Sequence, residues 1–280
     1  MQILVTGASG FIGSHIMEYL EKEGHTVTGC GRSQKKAYRR YIMCDLTEKQ
    51  PDLEADVVIH AAGLNPSADN TFYDYIRNNI TVTENIIQYA RKYQVKRIIY
   101  LGTLSSYGKV NQVLREDSPH NDSDDYGLTK YVAEKLIRES GIPYYIILPP
   151  TVIGKGCGSN WLMRTAEALY LNQDVKYYNG KHAFNNLVDV EDICVFISKL
   201  LEQGSGLSET YLLGLREMTT VKDIVLSLKE RLSSDSRLYS SNAVKNPFHI
   251  DISKALKDGF SPGTVAEILE KVCEEVKNKS

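Results

Sequence analysis

The sequence predicts an α/β fold, a doubly wound and mostly parallel sheet followed by a smaller C-terminal lobe. Three observations predict it. Short β-branched runs alternate with longer segments of helical period, the first of those runs turns directly into a glycine loop, and the alternation loosens after Pro149-Pro150.

The alternation begins with a strand at Gln2 to Val5, a helix over Phe11 to Glu23 and a strand at Thr26 to Cys30. It continues with a strand at Val57 to Ala61, a helix over Tyr75 to Tyr93 and a strand at Arg97 to Leu101. A helix over Tyr126 to Ser140 and a strand at Tyr144 to Leu148 follow. Repeated strand-helix-strand units give parallel strands with helices on both faces, the Rossmann arrangement. Seven strands result when Thr210 to Leu213 returns to the sheet.

Beyond Pro149-Pro150, Gly154 to Asn160 is a loop leading into a helix over Trp161 to Leu171. A helix over Val221 to Leu232 and a final helix complete the lobe, the last opened by Thr264 and Glu267 at capping-box spacing. The predicted division is 1–150 plus about 185–215 as the main domain and 151–184 plus 216–280 as the lobe.

Of 280 residues, 42% are hydrophobic and 24% charged, which supplies a sizeable core. The formal net charge is −2 with both signs interspersed, so there is no basic stripe for nucleic acid or for an anionic membrane. No run of about 18 apolar residues occurs, so no membrane span is expected, and no secretion signal is visible at the N-terminus. Cys30, Cys44, Cys157, Cys194 and Cys273 have no metal-ligand spacing and are odd in number. That pattern argues against a metal site and a disulfide framework, and for the cytoplasm. The expected partners are small molecules and a second copy of the chain.

The loop Thr6-Gly7-Ala8-Ser9-Gly10-Phe11-Ile12-Gly13 lies between the first strand and the first helix. Its glycines let backbone approach a diphosphate and let the helix start against the strand, while the helix N-terminus offers N–H groups to the phosphates. A dinucleotide is the expected ligand. At the end of the second strand a carboxylate would bond the ribose 2′-hydroxyl, whereas an arginine would accommodate a 2′-phosphate. The residues there are Thr28-Gly29-Cys30-Gly31-Arg32-Ser33, with no carboxylate. NADP(H) is therefore preferred over NAD(H), with Arg32 as clamp and Ser33 as helper; the competing reading of Arg32 is a solvated surface cation.

A tyrosine and a lysine four apart on a helix share a face, so the ammonium can depress the phenol's pKa and support proton transfer. Tyr126 and Lys130, Tyr131 and Lys135, and Tyr177 and Lys181 all have this spacing. The third pair lies in a strand-turn segment, where the spacing does not align side chains. Tyr126 begins its helix, near the strand ends where ligands bind in such sheets, and Tyr131 lies more than one turn further in. Tyr126 with Lys130 is the expected catalytic pair, and Tyr131 a packing or interface residue. After the strand Arg97 to Leu101 come Thr103, Ser105 and Ser106, whose hydroxyls either polarise a substrate carbonyl or bond local backbone.

These features resemble the extended short-chain dehydrogenase/reductase family, the branch that holds nucleotide-sugar epimerases, dehydratases and 4-keto reductases. The resemblance spans Thr6 to Gly13, Asp45-Leu46, His60-Ala61-Ala62-Gly63, Asn79, Leu101 to Gly108, Tyr126 to Lys130, Pro150 to Gly154 and Val188 to Asp192. It extends to Asp251 to Ala255 and Gly259 to Pro262.

The resemblance implies an NAD(P)-binding main domain and a substrate-binding lobe. Gly7, Gly10, Phe11, Ile12 and Gly13 would hold the diphosphate, and Asp45 and Leu46 would flank the adenine. Ala61, Ala62 and Gly63 would line the ribose and diphosphate, and Asn79 would steady the strand holding the active site. Lys130 would bond the nicotinamide ribose, and Pro150 joins Tyr126 in the cofactor-contacting set. The family's catalytic hydroxyl stands four residues before a Tyr-Gly pair, here Tyr107-Gly108, which assigns Thr103 and leaves Ser105 in reserve as a substrate contact.

Asn160 resembles the family's asparagine that contacts the nucleotide-sugar, and its alternative role is an N-cap. Two positions depart from the pattern. Pro149 and Asn185-Asn186 stand where the family has Arg and Arg-Asp, so a diphosphate-binding arginine is missing, with Arg164 or Arg216 as its replacement.

The expected function is NADPH-dependent reduction of a 4-keto nucleotide-sugar. A nucleotide-sugar 4-epimerase with retained NAD is the alternative, and a non-catalytic NADP-binding sensor is a third reading, opposed by the intact Thr103, Tyr126 and Lys130. As in many relatives, the helices near 75–93 and 126–140 are expected to pair with their copies in a homodimer.

Overall fold

Seven strands build the central sheet: β1 Gln2–Thr6, β2 Thr26–Gly31, β3 Tyr41–Met43, β4 Val57–His60, β5 Arg97–Leu101, β6 Tyr144–Leu148 and β7 Glu209–Leu212. The computed structural model describes residues 1–33, 38–204, 206–243 and 245–278. The spatial order is β7-β6-β5-β4-β1-β2-β3, and the pairs β1/β2, β2/β3, β1/β4, β4/β5 and β5/β6 are parallel. This is the expected doubly wound Rossmann sheet. Every residue of β4 and β5 is buried, as a parallel strand covered by helices on both faces requires. β3 escapes a sequence reading because three residues, two half-buried and one exposed, are too few to show a period.

The longer helices are α1 Phe11–Lys22, α2 Val82–Lys92, α3 Asp125–Glu139, α4 Trp161–Tyr170, α5 Val190–Glu202, α6 Val221–Arg231 and α7 Val265–Asn278. Where one helix was expected over 75–93, the chain forms a short helix Phe72–Tyr75, a π-helix Ile76–Thr81 and then α2. The wider turn disturbs the usual backbone ladder, and side chains bond one carbonyl just before it and one within it. Asn78 Nδ2 donates to the Asp74 carbonyl at 2.8 Å and Thr83 Oγ1 to the Asn79 carbonyl at 2.6 Å. Asn79, within this π-helix, is buried.

A buried arginine locks one end of the sheet. Arg97, at the start of β5, donates to the carbonyls of Leu200 at 3.2 Å, Gln203 at 3.3 Å and Gly204 at 2.5 Å. These are the carbonyls that the end of α5 leaves without helical partners, and a cation there also suits the helix dipole. The guanidinium lies 4.3 Å from the centre of the Tyr145 ring.

The chain divides into two units. The first comprises Met1–Gly108, Pro119–Leu148 and Cys194–Tyr211, and the second Lys109–Ser118, Pro149–Ile193 and Leu212–Ser280. Residues 109–118, 149–150, 185–193 and 212–215 are grouped with the second unit, although Leu212 is also the last residue of β7. Within the second unit α4, α6 and α7 pack on one another. α7 opens with the expected capping box: the Thr264 N–H donates to Glu267 Oε2 at 2.6 Å and the Glu267 N–H to Thr264 Oγ1 at 3.2 Å. Lys271 on α7 pairs with Asp189 at 2.5 Å and Glu191 at 2.8 Å.

All five cysteines are buried. Among the described residues, no helix is long and apolar enough to cross a membrane and no cluster of metal-ligating side chains occurs.

Candidate functional site

The strand order reverses between β1 and β4, the place where open α/β sheets take ligands. A cleft of about 480 Å³ opens there, within the roughly 300–1,000 Å³ range of cofactor sites. It is lined by Gly7, Gly10, Phe11, Ile12, Gly13, Arg32, Ser33, Asp45, Leu46, Ala61, Ala62 and Gly63. Ser9, Cys44, Thr47, Asn65, Asn78 and Val82 line it as well, and sequence reasoning missed them. Ser9 lies inside the glycine loop and Asn78 beside Asn79, so proximity to a motif was the available clue.

The loop glycines have separate reasons. A side chain on Gly7, whose φ is +68°, would meet the backbone of Ala61 and Ala62 at 2.7 Å, and one on Gly13 would strike the Gly7 carbonyl. Those two are dictated by the chain's own packing. A Cβ on Gly10 would meet only the Gly7 oxygen, at 3.1 Å, so the rest of that space lies open on the cleft. Gly10 is also the N-cap of α1 and brings no side chain to its first N–H groups. This cradle fits the diphosphate of a dinucleotide.

At the cleft's other end Arg32 and Ser33 are exposed and Asp45 is half-buried. The Thr47 N–H, at 3.0 Å, leads in holding the Asp45 carboxyl below the usual carboxylate range, helped by the Thr47 hydroxyl at 2.8 Å and the Arg32 and Arg77 charges. A carboxylate therefore shares this end of the cleft with Arg32.

The candidate reacting groups lie at the carboxyl end of β5 and the start of α3. Asp124 caps α3 by accepting from the Gly127 N–H at 2.7 Å. Gly127 is required because a Cβ there would strike the Ser105 carbonyl, so only glycine lets the helix begin this close to the turn after β5. Thr103 precedes that turn, its hydroxyl oxygen accepting from the Ser105 N–H at 3.2 Å, and it lies near Tyr126. Burial pushes the Tyr126 phenol up; the nearby Thr103 hydroxyl opposes the rise, and Asp124 and Tyr75 add to it. The Tyr75 ring lies 5.9 Å from that of Tyr126.

Lys130 is buried, with Nζ donating to the Leu101 carbonyl at 2.9 Å and lying 4.4 Å from the Tyr100 ring centre. Burial lowers its pKa to about 7, with the Glu134 charge opposing the fall.

A hydrogen-bonded layer behind these groups ties the cleft to α3. The Ala62 N–H donates to Thr6 Oγ1 at 3.3 Å, and Thr6 Oγ1 lies 2.7 Å from His60 Nδ1. His60 Nε2 lies 3.0 Å from Thr83 Oγ1. The single Thr83 hydroxyl proton goes to the Asn79 carbonyl, so Thr83 accepts from His60 and the ring carries its proton on Nε2. Thr6 must then donate to Nδ1.

From Asn79 the layer continues. Nδ2 donates to Thr129 Oγ1 at 3.0 Å, Oδ1 accepts from the Leu64 N–H at 2.8 Å, and Thr129 donates to the Tyr126 carbonyl at 3.0 Å. Burial lowers the His60 pKa to about 3, which keeps the ring neutral.

The second tyrosine of α3 is used differently. Tyr131 stacks on His120 at 3.7 Å, and His120 stacks on Tyr107 at 4.3 Å while bonding the Ser106 carbonyl at 2.8 Å. The remaining expected positions are dispersed. Ser105 is exposed and its N–H donates to Thr103 Oγ1. Asn160 Oδ1 accepts from the Leu162 and Met163 N–H groups at 3.0 Å each, the N-cap role.

Arg164 lines a cavity of about 640 Å³ inside the second unit, together with Trp161, Tyr177, Phe184 and Lys245. Arg216 is exposed and lines neither cavity, and Pro150 belongs to the second unit and does not line the cleft. Asn185, standing in place of an arginine, is fully buried: it donates to the Leu215 and Ile250 carbonyls at 3.1 and 2.9 Å and accepts from the Ile250 N–H at 2.8 Å. An amide supplies donor and acceptor at once, which a guanidinium does not.

Known proteins share this architecture. The chain is 25% identical to a Bacillus subtilis protein named as an uncharacterized UDP-glucose epimerase, over 93% of this chain and 96% of that one. It is 32% identical to a putative UDP-glucose 4-epimerase of Methanocaldococcus jannaschii over 55% of this chain and 56% of that one. The structure superimposes on UDP-glucuronic acid 4-epimerase from Bacillus cereus in complex with NAD with a TM-score of 0.85 at 22% identity, covering 100% of this chain and 99% of that one. A family model matches residues 3–214, from β1 through the glycine loop, the Tyr126 helix and the last strand of the sheet, and the chain belongs to the NAD-dependent epimerase/dehydratase family.

Proposed function

We propose that this chain is a nucleotide-sugar 4-epimerase that works with a retained NAD(H). The observation that carries the reading is that Thr103, after β5, and Tyr126 and buried Lys130, at the start of α3, gather at the carboxyl end of β5, where Lys130 Nζ bonds the Leu101 carbonyl at 2.9 Å. Burial raises the Tyr126 phenol, but the oxidative half-reaction starts from its phenolate, the form that a nearby ammonium favours. It accepts a proton from the sugar's 4-hydroxyl when that carbon is oxidised, and returns it when the carbonyl is reduced from the other face. Thr103 bonds the same oxygen, and the Lys130 ammonium favours the phenolate.

Bound NAD supplies the two-electron acceptor and donor. The glycine loop would hold its diphosphate, Asp45 and Leu46 its adenine side, and Lys130 its nicotinamide ribose. Residues 103–108 carry hydroxyls and no carboxylate, so removal of water from the sugar has no acid-base pair on this turn. The names of the relatives support a UDP-hexose or UDP-hexuronic acid as substrate.

A second reading, an NADPH-dependent 4-keto sugar reductase, is favoured by Arg32 and Ser33 at the cleft and by the absence of a carboxylate at the end of β2. Asp45 weighs against it, since a 2′-phosphate brought to Arg32 would also meet that charge. The test is to denature purified protein and identify the released nucleotide, then incubate native protein with UDP-glucose or UDP-glucuronic acid and no added cofactor. Released NAD(H) and a 4-epimer support the epimerase. No epimer, with NADPH consumed by a 4-keto sugar nucleotide, assigns the reductase. The working form is a homodimer in a reducing cytoplasm, which sedimentation of the protein tests for assembly.

A further inference from the structure

Among the described residues, two buried side-chain polar atoms lack a hydrogen-bond partner: Nε of Arg97 and Oε2 of Glu134. The first has an explanation, because the Arg97 guanidinium spends three bonds on carbonyls and lies over the Tyr145 ring. Glu134 does not. Its residue is 1% exposed, and only Oε1 is bonded, by Arg138 Nη2 at 2.6 Å and Nε at 3.2 Å. Leaving a carboxylate oxygen dry and unbonded is costly even with Arg138 balancing the charge, so a buried Glu134 calls for a reason.

Lys130 is another buried charged residue of this helix. Glu134 follows it by one turn of α3, both are buried, and residues four apart share a helix face. Tyr100 sits between them in the sheet beneath, its hydroxyl donating to the Lys130 carbonyl at 3.5 Å and its ring under the ammonium. The other titratable groups around Lys130 are His60 and Tyr100 from the sheet and Tyr126 from its own helix, with Arg138 behind Glu134. His60 is neutral and both tyrosines are raised by burial, and Glu134, ion-paired with Arg138 at 2.6 Å, is the carboxylate of this cluster. Arg138 is itself held by the Thr210 hydroxyl at 2.5 Å and by Tyr144 at 3.4 Å, so it fixes the carboxylate in one orientation.

The geometry points to Glu134 as a positioning residue, whose carboxylate, clamped on one oxygen by Arg138, holds the Lys130 side chain as an ammonium. It rests on the role proposed above for Lys130. Without that counter-charge, burial alone would favour the neutral amine, and Tyr126 would lose the cation that favours its phenolate.

The test follows the Lys130 side-chain NMR resonance through a pH titration of the full-length protein without substrate, in the unmodified chain, in Glu134→Gln and in Glu134→Asp. The lysine midpoint should fall by about one unit or more in Glu134→Gln and by less in Glu134→Asp. The high-pH side of the kcat/KM profile should move down with it while KM changes little. An unchanged midpoint in a folded Glu134→Gln protein overturns the proposal, and if that variant does not fold, an unchanged midpoint in Glu134→Asp does so. A shifted midpoint with unaltered turnover upholds the hold of Glu134 on Lys130 and overturns instead the role given to Lys130.

Discussion

Two turns of one helix carry the same spacing and opposite environments. Tyr126 and Lys130 lie at the start of α3, where the tyrosine meets Thr103 and the lysine is buried against Tyr100 and the Leu101 carbonyl. Tyr131 and Lys135 lie a turn later, where the tyrosine stacks on His120 and the lysine, 53% exposed, pairs with Glu139 at 3.9 Å. A four-residue interval places two side chains on one face; which face meets the sheet's carboxyl edge decides whether that pair is chemistry or packing.

The comparison is broken most sharply by phenylalanine at each tyrosine. General acid-base catalysis is worth about 10²–10⁴-fold, so Tyr126→Phe should lower kcat by that order with cofactor binding intact. Tyr131→Phe keeps the ring that stacks on His120 and should leave kcat nearly unchanged. Steady-state kinetics of both variants reverses the assignment if the losses are exchanged.

The lysines differ in stability rather than rate. Lys130 has a folded pKa of about 7 against about 10.5 unfolded, so the unfolded chain binds more protons between those values. Stability from this residue therefore rises as pH climbs from about 7 to 10.5, by up to about 1.4 kcal/mol per unit. Urea unfolding across this range should show that slope shrink in Lys130→Met. Lys135→Met, removing an exposed ion pair, should change stability by no more than about 0.5 kcal/mol at neutral pH.

His60 extends the comparison to the layer behind α3, with the acid range in place of the alkaline one. Its folded pKa is about 3 against about 6.5 unfolded, so the unfolded chain again binds the extra proton and stability falls as pH drops through that window. The unfolding free energy of His60→Asn should start lower than that of the unmodified chain and fall less steeply below pH about 6.5. Parallel curves would show that the ring does not titrate on unfolding. The smallest effect is at the cap: Asp124→Ala should cost about 1 kcal/mol, measured by denaturant midpoint.

Much of this was legible in the sequence because it depends on neighbours in the chain. The glycine loop, the strand-helix alternation and the Tyr-Lys spacing each sit within a dozen residues, and the sheet formed as expected. What stayed hidden depends on residues far apart. His60 is tied to Thr6 across 54 residues and to Thr83 across 23, and no local pattern announces such a relay. Asn160 offered two roles by its residue type, and only the coordinates show its oxygen given to two helix N–H groups. Asn185 appeared as a missing arginine, whereas its place is a buried tie between two segments far along the chain.

The π-helix at Ile76–Thr81 has a consequence for how this stretch tolerates change. Its turns hold more residues than those of the helices on either side, so Phe72–Tyr75 and Val82–Lys92 belong to two different helical wheels. Deleting Ile80 or Thr81 would let a single uninterrupted helix form and would rotate Asn79 by about 100° relative to Thr83, given 3.6 residues per turn. The amide would swing away from Leu64 and Thr129 while the helix itself became more regular. Here a gain in local order would dismantle the connection between the cleft and Tyr126.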